Sequence, residues 1–245
     1  MPEKNQADIR IGCCGFAESR GAYFQEFRLV EVQQTFYQPP ETKTLARWRE
    51  EAPEGFEFAL KAWQLITHAP TSPTYRRLKT PLSNEERVQA GSFRPTPVVR
   101  RAWERTLEAA RALQATAVVF QCPASFRPEQ ENVDNLRRFF SSAERDGLIF
   151  CWEPRGNWPK ELVRELCAEL DLVHCVDPFK DEPLYGLVRY FRLHGIGGYR
   201  YRYSDEELGR LLQWCKPDKT NYVLFNNTNM LEDARRFAEL VNNGR

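Results

Sequence analysis

Histidine is scarce in this sequence, with 3 in 245 residues, and no charge is in excess, with Lys+Arg 35 against Asp+Glu 34. A net charge of +1 gives no global field to recruit nucleic acid or an anionic membrane. Long apolar runs are missing too: none approaches the roughly 20 residues that a bilayer crossing needs. The opening "MPEKNQADIR" has neither the apolar core nor the cleavage site of a signal peptide, so a cytoplasmic protein with no membrane partner is expected. CxxC spacing is absent. The 7 cysteines are an odd number, and Cys13, Cys122, Cys151 and Cys175 sit in apolar segments where a reduced thiol behaves as a small hydrophobe. This argues against a disulfide framework and against a zinc or iron–sulfur site. A multinuclear metal centre is short of ligands, since His68, His174 and His194 are the only histidines and His174 lies early in an apolar run. No cofactor is therefore predicted. One divalent ion on Glu153, Asp177 and His194 is the metal-dependent alternative.

What is present is a rhythm. Short β-branched or aromatic runs recur as "IRIGCCG" (9–15), "LVEVQQTFY" (29–37), "FEFALKAW" (56–63) and "AVVFQCP" (117–123). They continue as "LIFCWEP" (148–154), "LVHCVDP" (172–178), "LVRYFRLHG" (187–195) and "NYVLFNNT" (221–228). Between them lie segments with apolar residues at three- and four-residue spacing, some with start signals: Pro128 and Pro159 near helix entries, and Ser204 with Glu207 in capping-box spacing. Two of the helices are weakly written, in "ESRGAYFQEFR" and "FKDEPLYG". Strand–helix alternation over this length predicts an α/β fold, a (β/α)8 TIM barrel forming a single domain over 1–245. A doubly wound open sheet is the runner-up, and it would need a Gly-rich nucleotide turn that "GCCGF" does not supply. Residues 64–97 break the rhythm with five prolines and little period. They read as an insertion after the third strand, either surface decoration or a lid over the barrel mouth.

In a barrel every strand's C-terminal end points into the mouth. There the residue types change together, to Lys61, Gln121, Glu153, Asp177, His194 and Asn226 or Asn227. Residues two apart share a strand face, which places Cys151 with Glu153, Cys175 with Asp177, and Tyr190 with Arg192 and His194 toward the lumen. On the second strand, Glu31, Gln33 and Thr35 would set a carboxylate deep inside. A buried Glu needs a partner or a proton, and Lys61 on the adjacent strand is the expected one.

Taken in order, "IRIGCCGF", "VEVQQTFY", "FEFALKAWQLITH", "VVFQCPASF", "WEPRGNW", "VDPF", "YFRLHG" and "YVLFNNT" resemble the YecE-like family of TIM barrels, a domain of unknown function. The resemblance spans about Ile9 to Leu240 and implies a TIM barrel with no established activity. Fold similarity to apurinic endonucleases and sugar isomerases is implied only as analogy. Two positions depart from the family pattern: Gln33 stands for an Asn, and Gly156 follows Arg155 where a His is common.

The strand-end set supports acid–base chemistry on a small polar, anionic or sugar-like substrate, by a lyase, isomerase or hydrolase. Glu153, Asp177 and His194 supply acid and base. Lys61 joins them as a structural ion pair, a catalytic group or a Schiff-base amine. Arg155 and Arg192 hold an anion. Glu31, Gln33, Gln121, Asn226 and Asn227 orient polar groups, and Trp158 forms an apolar wall. An alternative is nucleic-acid binding or repair, through the insertion's arginines and "YRYRY" (199–203), whose alternating aromatic and basic residues can stack bases and meet phosphates. A third reading is a barrel that serves only as a binding scaffold.

Overall fold

A computed structural model describes residues 7–243. Eight parallel strands form one sheet: β1 (Asp8–Cys14), β2 (Leu29–Val32), β3 (Glu57–Lys61), β4 (Ala117–Gln121), β5 (Ile149–Glu153), β6 (Val173–His174), β7 (Arg189–Leu193) and β8 (Thr220–Phe225). Their order is β6-β5-β4-β3-β2-β1-β8-β7. A parallel bridge between Val176 and Phe191 closes the ring, with the Val176 N–H on the Tyr190 carbonyl (3.2 Å) and the Arg192 N–H on the Val176 carbonyl (2.9 Å). The expected TIM barrel is present.

Among the described residues ten α-helices lie between and after the strands: α1 (Arg20–Glu26), α2 (Gln34–Tyr37), α3 (Thr42–Glu51), α4 (Gln64–Thr67), α5 (Asn84–Gln89), α6 (Pro97–Leu113), α7 (Gln130–Ser142), α8 (Lys160–Glu169), α9 (Asp205–Trp214) and α10 (Met230–Asn243). Their starts follow local chemistry. Thr96 caps α6 with Pro97 in its first turn, and Ser204 with Glu207 closes the expected capping box of α9. None of the described helices is long and apolar enough to cross a membrane.

The strands bury both faces. Val30, Leu60, Phe120, Trp152, Phe191 and Phe225 pack outward against the helices, while Leu29, Ala59, Val119, Cys151, Cys175, Tyr190, Tyr222 and Leu224 fill the lumen. All seven cysteines are free and buried, in keeping with their apolar settings.

Two local expectations change. The second run does not stay extended: β2 stops at Val32, Gln33 turns into the right-handed helical region, and Thr35 Oγ1 donates to the carbonyls of Val32 (3.0 Å) and Lys61 (2.7 Å). "FKDEPLYG" forms no helix, and the two-residue β6 continues into an irregular crossover whose Tyr185 carbonyl accepts the His174 N–H (3.0 Å). Prolines 178 and 183 explain this, since each removes a donor and restricts the residue before it.

The insertion 64–97 is built into the wall. Leu65, Ile66, Tyr75, Ala90 and Phe93 are buried, and the N–H groups of Gly91 and Phe93 donate to the carbonyls of Leu65 (2.7 Å) and Ile66 (2.8 Å). The Tyr75 hydroxyl donates to the His68 carbonyl (2.8 Å). Gly91 has φ +81°, and a Cβ there would lie 2.1 Å from the His68 carbonyl oxygen. Backbone pressed against backbone cannot give way. Gly91→Ala should lower stability by roughly 1–3 kcal/mol for the left-handed conformation alone, and by more for the clash. Urea unfolding of the two proteins measures it; an unchanged midpoint would mean that the turn at Gly91 does not press on the His68 carbonyl.

Candidate active site

The lumen carries a column of polar groups toward the mouth. At the bottom Arg10 pairs with Glu57, and the Tyr222 hydroxyl donates to the Glu57 carboxylate (2.9 Å). Tyr190 stacks on Tyr222 and sends its own hydroxyl up to Glu31 (3.0 Å). Glu31 and Arg192 are both fully buried. The Arg192 guanidinium grips Glu31 with two prongs, Nε to Oε2 (3.0 Å) and NH2 to Oε1 (2.8 Å), and turns its NH1 to Glu153 and to the Gln121 side-chain carbonyl (3.2 Å). Gln33 completes the shell by donating to Glu31.

Two sequence expectations are corrected here. The partner of Glu31 is Arg192 from across the lumen, not Lys61 beside it: strand alternation gives a shared face but not which residue reaches across. Nor is Arg192 an anion clamp for a substrate, because its donors are committed to two protein carboxylates and an amide.

Above this floor lies a cleft of about 450 Å³ lined by Glu153, Arg155, His174, Asp177, His194 and Tyr199, among others. Glu153, Asp177 and His194 therefore converge in one open pocket, with Arg155. Each has a distinct setting. Burial alone would push the Glu153 carboxyl up, but Arg192, then Arg155 and His194, outweigh it and hold it down at about 2. Glu153 is therefore ionised at neutral pH and cannot act as an acid there, which corrects half of its expected role. Asp177 accepts the backbone N–H groups of Phe179 (3.1 Å) and His194 (3.1 Å), so it fixes the strand end from which His194 projects.

His194 is fixed in one tautomer. Its Nδ1 lies 2.8 Å from the Arg192 carbonyl, which can only accept, so Nδ1 carries the proton. Nε2 then presents a lone pair, and Arg155 NH2 donates to it at 2.8 Å. Arg155 also donates from Nε to Glu153 Oε1 (3.0 Å). This guanidinium, with its side chain 35% exposed, bridges the His194 imidazole and the Glu153 carboxylate at the water's edge. Lys180 lies on the other wall, 3.5 Å from Asp177.

The remaining sequence candidates divide. Gln33 and Gln121 serve the buried network. Just past β8, the Asn226 backbone N–H donates to the Leu193 carbonyl (2.8 Å), whereas the Asn227 side chain donates to Asp233 (2.7 Å) and to the Tyr201 carbonyl (2.7 Å). Trp158 packs on Trp152 and Phe126 outside the barrel and donates to the Phe126 carbonyl (3.0 Å), so it is not a wall of the cleft. The loop 195–203 supplies a residue that strand-end reasoning did not single out for the site: Tyr199, 53% exposed, stands edge-on to His194 with ring centres 6.1 Å apart. Its neighbours are spent on packing, with Tyr203 buried against Phe179 and Tyr201 donating to Glu207 (2.6 Å). "YRYRY" is thus a folded loop and not a row of stacking platforms. Gly195, with φ +87° and the Gly198 carbonyl 2.2 Å from where a Cβ would be, lets that loop turn back at once.

The donor set does not fit a metal as arranged. Each Glu153 oxygen meets a guanidinium, the Asp177 oxygens accept backbone N–H groups, and among the described residues no three His, Cys, Asp or Glu side chains gather around one point. A larger groove of about 570 Å³ lies where the crossover after β6 lacks a helix. It has no base of the His194 kind; its Lys160 pairs with Asp181 (3.4 Å) and Glu182 (3.3 Å).

With this geometry in view, known proteins can be set beside it. A family described as "Protein of unknown function DUF72" matches residues 14–245. The UPF0759 protein YunF of Bacillus subtilis is 30% identical over 117 residues, 47% of this chain, and the match spans 36% of that protein's length. A DUF72 protein of Enterococcus faecalis superposes with a TM-score of 0.71 at 22% identity, covering 97% of this chain and 99% of that one. A D-psicose 3-epimerase, solved in the presence of D-fructose, superposes with a TM-score of 0.57 at 12% identity, covering 95% and 96%. At these identities the likeness is one of fold.

The buried network makes two predictions. Removing one partner leaves an uncompensated charge, so Glu31→Gln or Arg192→Met should each cost roughly 3–5 kcal/mol in urea unfolding, against under about 1 kcal/mol for exposed pairs such as Arg47→Ala. For pH the sign follows from Glu153: its folded value is depressed to about 2, below the roughly 4.3 of an unfolded Glu. Its contribution is present above pH of about 4.3 and is lost as pH falls toward 2. In Glu153→Gln that acid-side loss should shrink; an unchanged acid limb would show that another carboxylate controls it.

Proposed function

The chain belongs to the DUF72 family, and from that premise we propose that its barrel mouth is an active site where His194 moves a proton on a small polar, anionic or sugar-like compound. The observation that carries this reading is the tautomer. With its proton tied to the Arg192 carbonyl, His194 turns toward the cleft an Nε2 lone pair held only by the displaceable Arg155 donor, which is the form a general base needs. Arg155 and Lys180 supply cationic donors on either side for a carboxylate or phosphate, and Tyr199 supplies an aromatic edge for a carbon skeleton. Asp177 positions the base, and Glu153, fixed as an anion, balances positive charge that develops on the imidazole.

Proton transfer next to a carbonyl serves isomerase and lyase chemistry, and the fold likeness to a sugar epimerase supports a sugar-like compound as a class. Hydrolysis is less favoured, since Glu153 does not hold the proton that a leaving group would take. We read the YecE-like resemblance as a narrower likeness within the same family. Buried, reduced cysteines support action in the cytoplasm.

The test is solvent exchange. Small aldoses, ketoses and sugar acids incubated with the protein in D2O should include one that gains deuterium at the carbon beside its carbonyl, followed by NMR. His194→Gln should slow that exchange by about 10²-fold or more while leaving binding within a few-fold. Arg155→Lys should chiefly raise KM, because an ammonium cannot reproduce a two-pronged contact. Exchange that survives intact in His194→Gln would overturn the assignment.

A further inference from the structure

Lys61 loses the partner that its sequence position suggested. Glu31 is saturated by Arg192, Tyr190 and Gln33, and among the described residues Lys61 makes no ion pair and no side-chain hydrogen bond. It ends β3 on the lumen face, 7% exposed, with its Nζ 3.7 Å from the centre of the Phe36 ring. Its backbone is held by Thr35 Oγ1 on the Lys61 carbonyl (2.7 Å).

An ammonium is a strongly hydrated charge with three donors, and one buried without an acceptor favours the neutral amine. The ring face recovers part of that loss through cation–π attraction. Burial and then the nearby Arg192 lower the amine to about 7, against the opposing pull of Glu153 and Glu31, and Arg155 adds to the lowering. A lysine needed only for packing would be better replaced by leucine or methionine, which carry no desolvation cost. This one keeps its nitrogen on the lumen face just behind the cleft wall, in the field of Glu153 and Arg155, which line the cleft, and of Arg192 and Glu31 beneath it.

We propose that Lys61 is a covalent amine, which condenses with the carbonyl carbon of a small aldehyde or ketone bearing an anionic group. This rests on the reading of the mouth as a proton-transfer site for such compounds. The Nζ lone pair forms a C–N bond as the C=O π pair moves to oxygen. The two amine hydrogens pass to that oxygen, it leaves as water, and a C=N bond remains. The neutral imine takes one proton from solvent, and Glu31 and Glu153, which both favour positive charge on this nitrogen, stabilise the resulting iminium. The anionic group is the one that Arg155 meets at the edge. A proton on the carbon beside C=N is then acidified, which gives His194 its task.

The experiment traps the adduct. The whole protein is incubated with pyruvate or with glycolaldehyde in the presence of sodium cyanoborohydride, which delivers hydride to the imine carbon, and peptides are mapped by mass spectrometry. Lys61 should be alkylated at least ten times faster than exposed Lys43, Lys160 or Lys216, with a rate that rises through a midpoint near pH 7. Pyruvate should be favoured over neutral glycolaldehyde at Lys61 but not at the exposed sites. Lys61→Arg keeps the charge and Lys61→Met the volume; either one that retains a cooperative melting transition should lose the fast adduct and keep the slow ones. Alkylation of Lys61 no faster than the exposed lysines overturns the proposal, as does a midpoint near that of an ordinary lysine. The two readings fail separately. Fast trapping with deuterium exchange untouched by His194→Gln removes the base and keeps the amine, whereas His194-dependent exchange without trapping does the reverse.

Discussion

The mouth depends on one guanidinium. Arg192 is sealed from water and holds Glu31 from β2 and Glu153 from β5, with Gln121 from β4, so one side chain of β7 ties three other strands across the lumen. Taking three ionised groups out of water is costly, and the attraction between them offsets that only when every lone pair and N–H is met. Here nearly all are: Tyr190 and Gln33 complete Glu31, and Arg155 takes the remaining Glu153 oxygen. The consequence is electrostatic. Glu153 is fixed as an anion, Lys61 feels a permanent neighbouring cation, and the Arg192 carbonyl sets the tautomer of His194 two residues on.

Much of this was legible in the sequence, for a stated reason. A strand buried on both faces reads as an apolar run, and the lumen set at β5, β6 and β7 follows from alternation once a barrel is assumed. Glu153, Asp177 and His194 came together because all three end such runs. What alternation cannot supply is a partner across a closed lumen, so Lys61 was matched to Glu31 when Arg192 reaches it. Alternation also ends where the strand ends. Trp158 lies in the loop past β5 and turns outward to Trp152, and Asn227, two residues past β8, pins the loop 195–203. Tyr199 had little signal of its own, since only the fold of that loop separates it from the buried Tyr203. In the insertion, composition shows five prolines and little period but not that Ile66 and Phe93 anchor the segment in the core.

The two arginines beside Glu153 divide the work according to exposure. Arg192 cannot leave, since its release would strand two buried carboxylates at a cost of roughly 3–5 kcal/mol. Arg155 meets the same carboxylate from the other side, but its side chain is 35% exposed, and a pair in that position contributes about 1 kcal/mol or less. An arriving carboxylate or phosphate can therefore take over the Arg155 donors at little cost. As it does so, the donor leaves Nε2 of His194, and the lone pair that it covered is freed. On the function proposed for the mouth, binding the anion and uncovering the base are then one event, and Glu153, still held by Arg192, stays ionised through it.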